Sequence, residues 1–440
     1  MKAGFKSSEE KKQKIRETLQ QTREKRKSQT VKIYSLKIDE SHLNITQKQW
    51  INKIFLEAKW FYNYIIGRDD LFTLDLKIKN VLCKNKDGND EWRKLECLSS
   101  QMKLGIHGRV IDSIKGLSIL KKKGYQVGRI KHTKNIDSIP LPQFRNTWNI
   151  QAGRIRVQGL KKTLPIIGLD QIPRECDFAN AVLLKKASGY YVQITTFQSK
   201  TTRIQTNKDV GLDFGIKDNI VTSDGEKFNI KIAESPKLKS LQKRFSKKAK
   251  GSNQRKKVQK KIQREYERIS NQKKDKVNKI VSHLVNTYDT IYMQDEMIKQ
   301  WHSGLFGKQV QHSALGAIKA RLKNLESVRL IERSFPTTKM CYNCGMIHKS
   351  IPLSQRTFKC DCGLEEDRDI KAAKTILMVG RLKFPATERS STPPEEMIST
   401  QIGSNSDLSK LTPLKEEACC SLDNRRSEEH TSELQSLAYL

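Results

Sequence analysis

Four cysteines stand close together near the C-terminal end of the chain, and their spacing limits what this segment can form. Cys341 and Cys344 make a CxxC pair, Cys360 and Cys362 make a CxC pair, and residues 345–359 separate the two. Two cysteine pairs at such a separation are typical of a zinc ribbon, in which four thiolates surround one Zn²⁺. We expect the zinc to be structural, because four thiolates leave no open position for a catalytic water.

The second pair is shorter than the usual CxxC, so we expect a tighter turn there. His348 is the alternative fourth ligand if Cys362 cannot reach the metal. A redox role is disfavoured because no thioredoxin-like βαβ pattern adjoins the cysteines. Cys83, Cys97 and Cys176 are predicted to be ordinary core or surface residues.

The charge of the chain indicates its partner. There are 84 Lys and Arg against 48 Asp and Glu, a formal net charge of +36. So large an excess destabilises a compact protein by self-repulsion unless a polyanion neutralises it, which predicts binding to nucleic acid. No run of about 18 apolar residues is present, and the first residues lack the apolar segment of a signal peptide, so we expect no membrane partner.

Changes in composition and in hydrophobic periodicity along the sequence predict an α/β and α+β multidomain protein. A β-barrel-like, β-rich domain with a helical insertion comes first, and an α/β domain interrupted by a zinc ribbon follows. Residues 426–436 look like the translation of a sequencing-library adapter, so 425–440 are left out of fold reasoning. The predicted segments are a basic arm, helical or flexible (1–30), the N-terminal domain (31–207, insertion about 46–122), the α/β domain (208–335, basic helical hairpin 237–276), the zinc ribbon (336–363), the last part of the α/β domain (364–380) and a disordered tail (381–440).

Three acidic residues stand where a sheet could present them together. Asp213 lies in a predicted strand between glycines, Glu296 ends a second strand, and Asp369 begins a helix. Phosphodiester hydrolysis can be driven by two divalent ions about 4 Å apart, and Mg²⁺ prefers carboxylate oxygens. The three residues are therefore candidate magnesium ligands and catalytic residues.

Two of these assignments have neighbours that could replace them. Asp295 would take the place of Glu296 if the strand slipped by one residue, and Asp367 could act instead of Asp369. We prefer Asp369 because it stands immediately before the residues that lead into Ala372 and Ala373.

The predicted hairpin at residues 237–276 holds 17 Lys or Arg against three acidic residues. It joins the strands of Asp213 and Glu296, so its charge is expected to lie beside the site, where each neutralised phosphate releases counterions. The aromatic residues at 50, 60, 61, 62 and 64 could stack on bases or belong to a core. The candidate nucleic-acid-binding residues of the hairpin are Lys243, Arg244, Lys247, Lys248, Arg255, Lys256, Lys257, Lys260, Lys261 and Arg264.

Four motifs in the second half of the chain carry a family resemblance. They are Gly-Leu-Asp-Phe-Gly-Ile-Lys at 211–217, Gln-Asp-Glu at 294–296, Thr-Thr-Lys-Met-Cys-Tyr-Asn-Cys-Gly at 337–345 and Asp-Arg-Asp-Ile-Lys-Ala-Ala at 367–373. The order resembles the TnpB (OrfB) family of insertion-sequence proteins and the related compact CRISPR type V effectors. The resemblance spans about residues 208–377.

The resemblance implies an RNase H-like (RuvC) nuclease directed by a guide RNA, which cuts target DNA with two Mg²⁺ ions, for which Mn²⁺ can substitute. It makes Asp213, Glu296 and Asp369 the first, second and third catalytic carboxylates. It also implies a cytoplasmic location, in the cytosol or nucleoid of a prokaryote. The N-terminal half is then expected to recognise RNA, the RNA–DNA heteroduplex and a short DNA motif that flanks the target. The target sequence itself is recognised by base pairing with the guide RNA.

Two departures from the family keep other functions open. The family has Asn directly after the second carboxylate and two residues after the third, where this chain has Met297 and Lys371. Lys371 could tune metal affinity or mark weakened catalysis, so a nuclease-dead RNA-guided DNA-binding regulator is the alternative. A strand-transferring transposase is a third reading, although no tyrosine or serine recombinase motif is evident.

Overall fold

The computed structural model describes residues 9–384, except residues 69, 86, 201–204 and 353 and the side chains of residues 11 and 12. The chain divides into two compact units between residues 202 and 203, a few residues before the predicted boundary at 207. The predicted tail beyond residue 384, including residues 426–436, lies outside the described residues.

Unit 1 is built on an antiparallel sheet of seven strands in the order β4-β8-β9-β1-β7-β6-β5. Among the described residues the edge strands β4 and β5 do not pair, so the hydrogen-bonded sheet does not close into the predicted barrel. Its helices and strands are α1 (Glu9–Lys27), β1 (Gln29–Ile38), α2 (Ile45–Ile66), β2 (Asn80–Lys84), β3 (Asp90–Lys94), α3 (Ser100–Lys122), β4 (Ser138–Leu141), β5 (Trp148–Gln151), β6 (Arg154–Val157), β7 (Leu164–Ile167), β8 (Asp177–Lys186) and β9 (Gly189–Ser199).

The core of unit 1 forms where α2 packs against this sheet. Alternate residues of β9 are buried, and α2 begins with a capping box between Asn44 and Gln47. Phe61 is fully buried, and the other aromatic residues at 50, 60, 62 and 64 pack against the same core. These aromatic residues therefore belong to the core face of α2, with Phe61 fully buried and the other four partly buried.

Two expectations for unit 1 need correction. The insertion at about 46–122 is not wholly helical, because the hairpin β2–β3 lies between its two helices with Val81 buried. The described part of the basic arm is helix α1, which ends at Lys27, and β1 already begins at Gln29.

Unit 2 contains a five-stranded sheet in the order β12-β11-β10-β13-β14. The first three strands pair antiparallel, whereas β10–β13 and β13–β14 pair in parallel. Its elements are β10 (Asp209–Phe214), β11 (Ile220–Thr222), β12 (Lys227–Phe228), α4 (Pro236–Ser246), α5 (Asn253–Thr287), β13 (Thr290–Gln294), α6 (Ile298–Ser303), α7 (Gly307–Ser313), α8 (Leu315–Lys323), β14 (Val328–Ile331), β15 (Thr357–Lys359), β16 (Glu365–Asp367) and α9 (Arg368–Lys383).

Helix α9 lies directly against β10, and glycine makes this approach possible. A Cβ atom on Gly211 would stand 2.0 Å from the carbonyl oxygen of Ala373 and 2.7 Å from the backbone nitrogen of Leu377. Ala372 and Ala373 are themselves fully buried. The small residues at this crossing therefore hold the start of α9 close to the strand that carries Asp213.

Several boundaries in unit 2 differ from the sequence prediction. The hairpin is longer than 237–276, because α5 continues to Thr287 along a buried stripe that includes Val277 and Leu284. Three short helices follow β13, and Ala314 between α7 and α8 has a left-handed φ of 56°. The ribbon extends beyond 363 to Asp367 because β15 pairs with β16, and α9 runs past 380 to Lys383.

Candidate active site

The strands β10 and β13 end at the same edge of the unit 2 sheet. They pair in parallel, with Leu212 opposite Met293, so Asp213 at the end of β10 and Glu296 just after β13 come to one edge. Successive side chains of a strand alternate in direction, which puts Asp213 on the same face as Gly211, the face that contacts α9. Two of the three predicted residues thus share one edge.

Asp369 reaches the same place from α9. It stands four residues, or about one helical turn, before Ala373, whose carbonyl oxygen faces Gly211. Electrostatics agrees with this placement, because both Glu296 and Asp369 act on the carboxyl group of Asp213. The fold therefore brings all three predicted carboxylates together.

The pKa of Asp213 is raised well above its ordinary value. Burial is the largest cause, repulsion by Glu296 and Asp369 adds to it, and Arg368 and Lys371 oppose it. A carboxylate in these surroundings favours either a proton or a bound cation, since burial penalises an uncompensated charge.

The pKa of Glu296 is also raised. Burial raises its pKa to about 7, although Lys319 partly offsets the effect. Its Oε2 atom is buried and has no hydrogen-bond partner among the described residues. This oxygen is therefore available to bind a cation.

The two alternative residues are engaged elsewhere. Asp295 forms ion pairs with Lys319 at 3.1 Å and Lys323 at 3.6 Å. Burial by itself would raise the pKa of Asp295, but these lysines lower it below its ordinary value.

Asp367 is the N-cap of α9. Its Oδ1 accepts hydrogen bonds from the backbone N–H groups of Asp369 at 2.9 Å and Ile370 at 3.2 Å, and its Oδ2 pairs with Lys227 at 2.9 Å. Burial would raise the pKa of Asp367, and these contacts instead lower it. Asp367 thus serves as a helix cap, whereas Asp369 has ion pairs with Arg368 at 3.6 Å and Arg356 at 3.8 Å.

Sequence reasoning missed Lys319. This residue of α8 is 7% exposed, and its ammonium donates to the backbone carbonyl of Glu296 as well as pairing with Asp295. The signal was present in the sequence, since Lys319 stands four residues after buried Leu315 and next to buried Ile318. A lysine on the apolar face of a helix needs a buried acceptor.

The four cysteines form a compact cluster. Their sulfur atoms all lie within 4.8 Å of one another, with Cys341–Cys362 at 3.8 Å and Cys344–Cys360 at 3.6 Å. Cys362 therefore reaches the cluster despite the short CxC spacing, and Gly363 with φ 88° makes that turn. Four sulfurs so arranged fit one tetrahedral zinc ion.

His348, the alternative ligand, stands at the edge of this cluster with Nε2 3.4 Å from the sulfur of Cys360. Among the described residues, the cysteines are the group whose ligand atoms are close enough together to hold one metal ion. The carboxylates of Asp213, Glu296 and Asp369 are electrostatically coupled but lie further apart than the four sulfur atoms.

Lys371 is fully buried, and its ammonium does not lie free among the carboxylates. It donates to the backbone carbonyls of Thr337, Thr338 and Met340 and lies 4.1 Å from the ring centre of Phe358. Burial lowers the pKa of Lys371 to about 8. Its hydrogen bonds connect α9 to the segment that leads into the cysteine cluster.

Nine of the ten candidate hairpin residues are exposed. Arg255 differs, because its guanidinium donates to the carbonyls of Phe245 and Lys248 and lies 3.8 Å from the ring centre of Phe245. The structure gives Arg255 the role of closing the turn between α4 and α5.

The hairpin has a small core of its own, formed by Leu238, Leu241, Val258 and Ile262. At 1.5 Å per residue, the 35 residues of α5 extend about 50 Å. Its basic residues 256–261 stand roughly 25–30 Å before Val277, where the helix joins the core of the sheet. These residues therefore lie near the turn of the hairpin, away from the end of α5 that joins the sheet.

Two family models match unit 2 and the strand that precedes it. The OrfB_IS605 family, described as "Probable transposase", matches residues 191–299, which include Asp213 and Glu296. The family described as "Cas12f1-like, TNB domain" matches residues 317–376, which include Asp369 and the four cysteines. Together the two matches cover the segments that carry all three predicted carboxylates and the cysteine cluster.

Two curated relatives are similar to part of this chain. A Streptomyces pristinaespiralis protein named "Putative RNA-guided DNA endonuclease" is 30% identical over 204 residues, which are 44% of this chain and 51% of that protein. The "TnpB-like protein L79" of Acanthamoeba polyphaga mimivirus is 31% identical over 146 residues, 29% of this chain and 27% of that protein. Part of the chain is thus similar to proteins named as RNA-guided DNA endonucleases or TnpB-like proteins, and the chain spans about half the length or less of these relatives.

A solved structure, the cryo-EM structure of a Cas12f1–sgRNA–target DNA complex, is similar at a TM-score of 0.46 and 13% identity, covering 79% of this chain and 99% of that one. No helix among the described residues is long and apolar enough to cross a membrane.

Proposed function

We propose that this protein is an RNA-guided DNA endonuclease that cuts double-stranded DNA next to a short flanking motif through a metal-dependent RuvC site. The observation that carries the proposal is the meeting of Asp213, Glu296 and Asp369 at one sheet edge, with Asp213 under the electrostatic influence of the other two. The names of the relatives support the RNA-guided activity.

The sheet of unit 2 supports an RNase H-like assignment. An antiparallel trio of strands continues into two parallel ones, and the strand carrying Asp213 is central. Helix α9 covers that strand and contributes the third carboxylate.

The donor set fits Mg²⁺, with Mn²⁺ as a substitute. Asp213, Glu296 and Asp369 offer the oxygen ligands that hard cations prefer, and the buried Oε2 of Glu296 has no other partner among the described residues. Two such ions, when bound, would activate a water and stabilise the leaving oxygen of the cut strand.

The other side chains would prepare the site. Lys319 fixes the backbone at Glu296, and Asp367 caps α9 so that Asp369 stands in its first turn. Arg368 and Arg356, with nitrogens 3.6 and 3.8 Å from the carboxylate oxygens of Asp369, would attract a phosphate to this edge.

The four cysteines would hold a structural zinc ion. Guide RNA and target DNA are the proposed partners, and the exposed basic residues of α4 and α5 would follow their phosphates. Unit 1 would recognise RNA, the heteroduplex and the flanking motif. A cytoplasmic location is part of the same proposal.

The first test is to purify the protein with its native locus, sequence the bound RNA and measure cutting of matching DNA with Mg²⁺. Asp213→Asn and Asp369→Asn should abolish cutting and leave guide and target binding intact, because they alter ligands at the sheet edge. Glu365→Gln is the matched control, since this exposed carboxylate of β16 pairs with Lys359. Normal cutting by Asp213→Asn would refute the site.

The regulator alternative predicts guided binding without cutting at saturating Mg²⁺ and Mn²⁺. It was suggested by Met297 and Lys371, but the ammonium of Lys371 is engaged with three backbone carbonyls. All three carboxylates are retained. The endonuclease is therefore the better-supported proposal.

A further inference from the structure

Residues 332–340, here called the support loop, connect β14 to the first cysteine pair. Two buried side chains from other elements hold this loop. One is Gln294, two residues before Glu296, and the other is Lys371, two residues after Asp369. The loop is thus tied to both the second and the third carboxylate.

Gln294 holds the first half of the support loop. Its side-chain nitrogen lies 2.8–3.0 Å from the carbonyl oxygens of Glu332, Arg333 and Phe335. Its side-chain oxygen accepts a hydrogen bond from the hydroxyl of Thr337 at 3.0 Å. Both ends of the amide are therefore engaged by one loop, and the residue is 6% exposed.

Lys371 holds the second half. Its ammonium lies 3.2 Å from the carbonyl oxygen of Thr337, 2.5 Å from that of Thr338 and 3.1 Å from that of Met340. An ammonium has three donors, so these three acceptors can satisfy it completely. The hydroxyl of Thr375 adds a bond to Met340 at 3.3 Å.

The support loop leads directly into Cys341, a member of the cysteine cluster. A metal ion held by four thiolates fixes the backbone at each of them, because metal–sulfur bonds have defined lengths and angles. The cluster thus holds the support loop where it ends at Cys341. Gln294 of β13 and Lys371 of α9 hold the backbone before that point.

We propose that the support loop is a common brace which sets Glu296 and Asp369 relative to each other, and that Gln294 and Lys371 are its positioning residues. The cysteine cluster then acts on the nuclease site through this loop as well as stabilising its own fold. The inference rests on the proposed function for its catalytic consequence, but the mechanical coupling can be measured without any cutting.

The brace also accounts for Lys371, which departs from the family pattern. A fully buried lysine is costly unless its charge is matched by acceptors. Here the acceptors are three carbonyls of one loop, so the side chain serves to hold that loop.

The first experiment measures coupling by amide hydrogen exchange with mass spectrometry. Removing the cysteine-bound metal from the wild-type protein should increase exchange in peptides that cover residues 294–298 and 369–373, in addition to the cluster itself. In Lys371→Met the α9 peptide should exchange quickly already with metal present and respond little to its removal. Unchanged exchange at both carboxylates in metal-free wild type would overturn the proposal.

The second experiment measures cutting by the complete complex. Lys371→Met and Gln294→Leu should each slow cleavage about 10–100-fold, the range found when groups that orient metal ligands are lost. Guide and target binding should stay within about twofold, because no phosphate-binding residue is altered. The double variant should be little worse than either single one, since both act through one loop.

Lys374→Met is the matched control. Lys374 lies on the same helix and contacts Glu366 and Tyr342 of the cysteine module, but it does not touch the support loop. We expect cleavage near the wild-type rate. Equal losses for Lys371→Met and Lys374→Met, or strict additivity with Gln294→Leu, would refute the brace.

Thr337→Val keeps the test decisive if Lys371→Met fails to fold. This change removes one hydroxyl that donates to Gln294 and preserves the side-chain shape. Thr337→Val should slow cutting by a smaller factor than Lys371→Met. A folded variant that cuts at the wild-type rate would count against the proposal. If the wild-type protein does not cut DNA but shows the exchange coupling, the proposed function fails and the brace remains.

Discussion

Unit 1 and unit 2 both bury charged residues, but they treat them differently. In unit 1, Oε2 of Glu57 accepts the backbone N–H groups of Cys97 and Leu98, and Lys103 donates to the carbonyl of Ile78. In unit 2, Asp213 is buried beside two other carboxylates, which raise its pKa. An unpartnered buried oxygen does not separate the units, since among the described residues both Glu57 and Glu296 have one. Unit 2 thus places like charges together at a sheet edge, whereas the buried Glu57 and Lys103 of unit 1 each have backbone partners.

The difference indicates where to look for chemistry. A buried charge with a backbone partner is explained by the fold, and one with like-charged neighbours calls for a ligand. The two family matches cover residues 191–299 and 317–376, almost entirely in unit 2. The mutually repelling carboxylates and the family resemblance therefore coincide.

The largest effect on stability should come from Gly211→Ala. The added methyl group would meet backbone atoms of α9, which cannot move aside as a flexible side chain can, so we expect unit 2 to lose about 3 kcal/mol or more. Hydrogen exchange of peptides from β10 and α9 measures this separately from unit 1.

Gly108→Ala in α3 is the contrasting change in unit 1. Nothing among the described residues lies within 4 Å of the place that the added methyl group would occupy, so alanine should stabilise the helix by about 0.5–1 kcal/mol. Similar destabilisation by both substitutions would mean that close packing does not distinguish the two positions.

Glu296→Gln tests whether the buried carboxyl group of Glu296 lowers the stability of unit 2 as pH rises. The folded carboxyl keeps its proton up to pH of about 7, whereas the unfolded one loses it near 4.5, so without divalent ions unit 2 should lose stability as pH rises between these values. The glutamine variant lacks this loss and should be more stable above pH 7, by on the order of 3 kcal/mol.

Unfolding should be followed at pH 5 and pH 8 without a chelator, so that the cysteine cluster stays intact. Added Mg²⁺ should then stabilise the wild type more than the variant. A pH-independent difference between the two proteins would contradict the raised pKa of Glu296, and Glu365→Gln supplies the exposed control.

The smallest effect is expected from the basic hairpin. Replacing Lys256, Lys257, Lys260 and Lys261 by alanine should weaken RNA binding and reduce the slope of log affinity against log salt by up to about 3, at 0.7–0.9 per phosphate contact. These side chains are exposed, so folding should be unaffected.

Four exposed lysines of unit 1, Lys115, Lys121, Lys122 and Lys123, provide a control of equal charge. Their replacement should change the salt slope less. Equal slopes for both quadruple variants would show that binding follows total charge and would remove the hairpin's special role.

Local sequence patterns predicted several elements because they depend on neighbouring residues only. The apolar stripe that includes Val277 and Leu284 continues α5 into the core, and the small residues around Gly211 and Ala373 allow a strand and a helix to touch. The cysteine spacing predicted a compact cluster, which the four sulfurs form. The β2–β3 hairpin was missed because its stability depends on Val81 packing into a distant core.

The sequence by itself thus determined which residue types could hold metals and which segments carry charge. It could not choose between Asp295 and Glu296, because that choice depends on Lys319, which comes from a helix further along the chain. Nor could it assign Lys371, whose acceptors lie more than 30 residues earlier. Tertiary structure decided the partners of Asp295 and Lys371, since the state of a buried charge depends on the groups that folding brings to it.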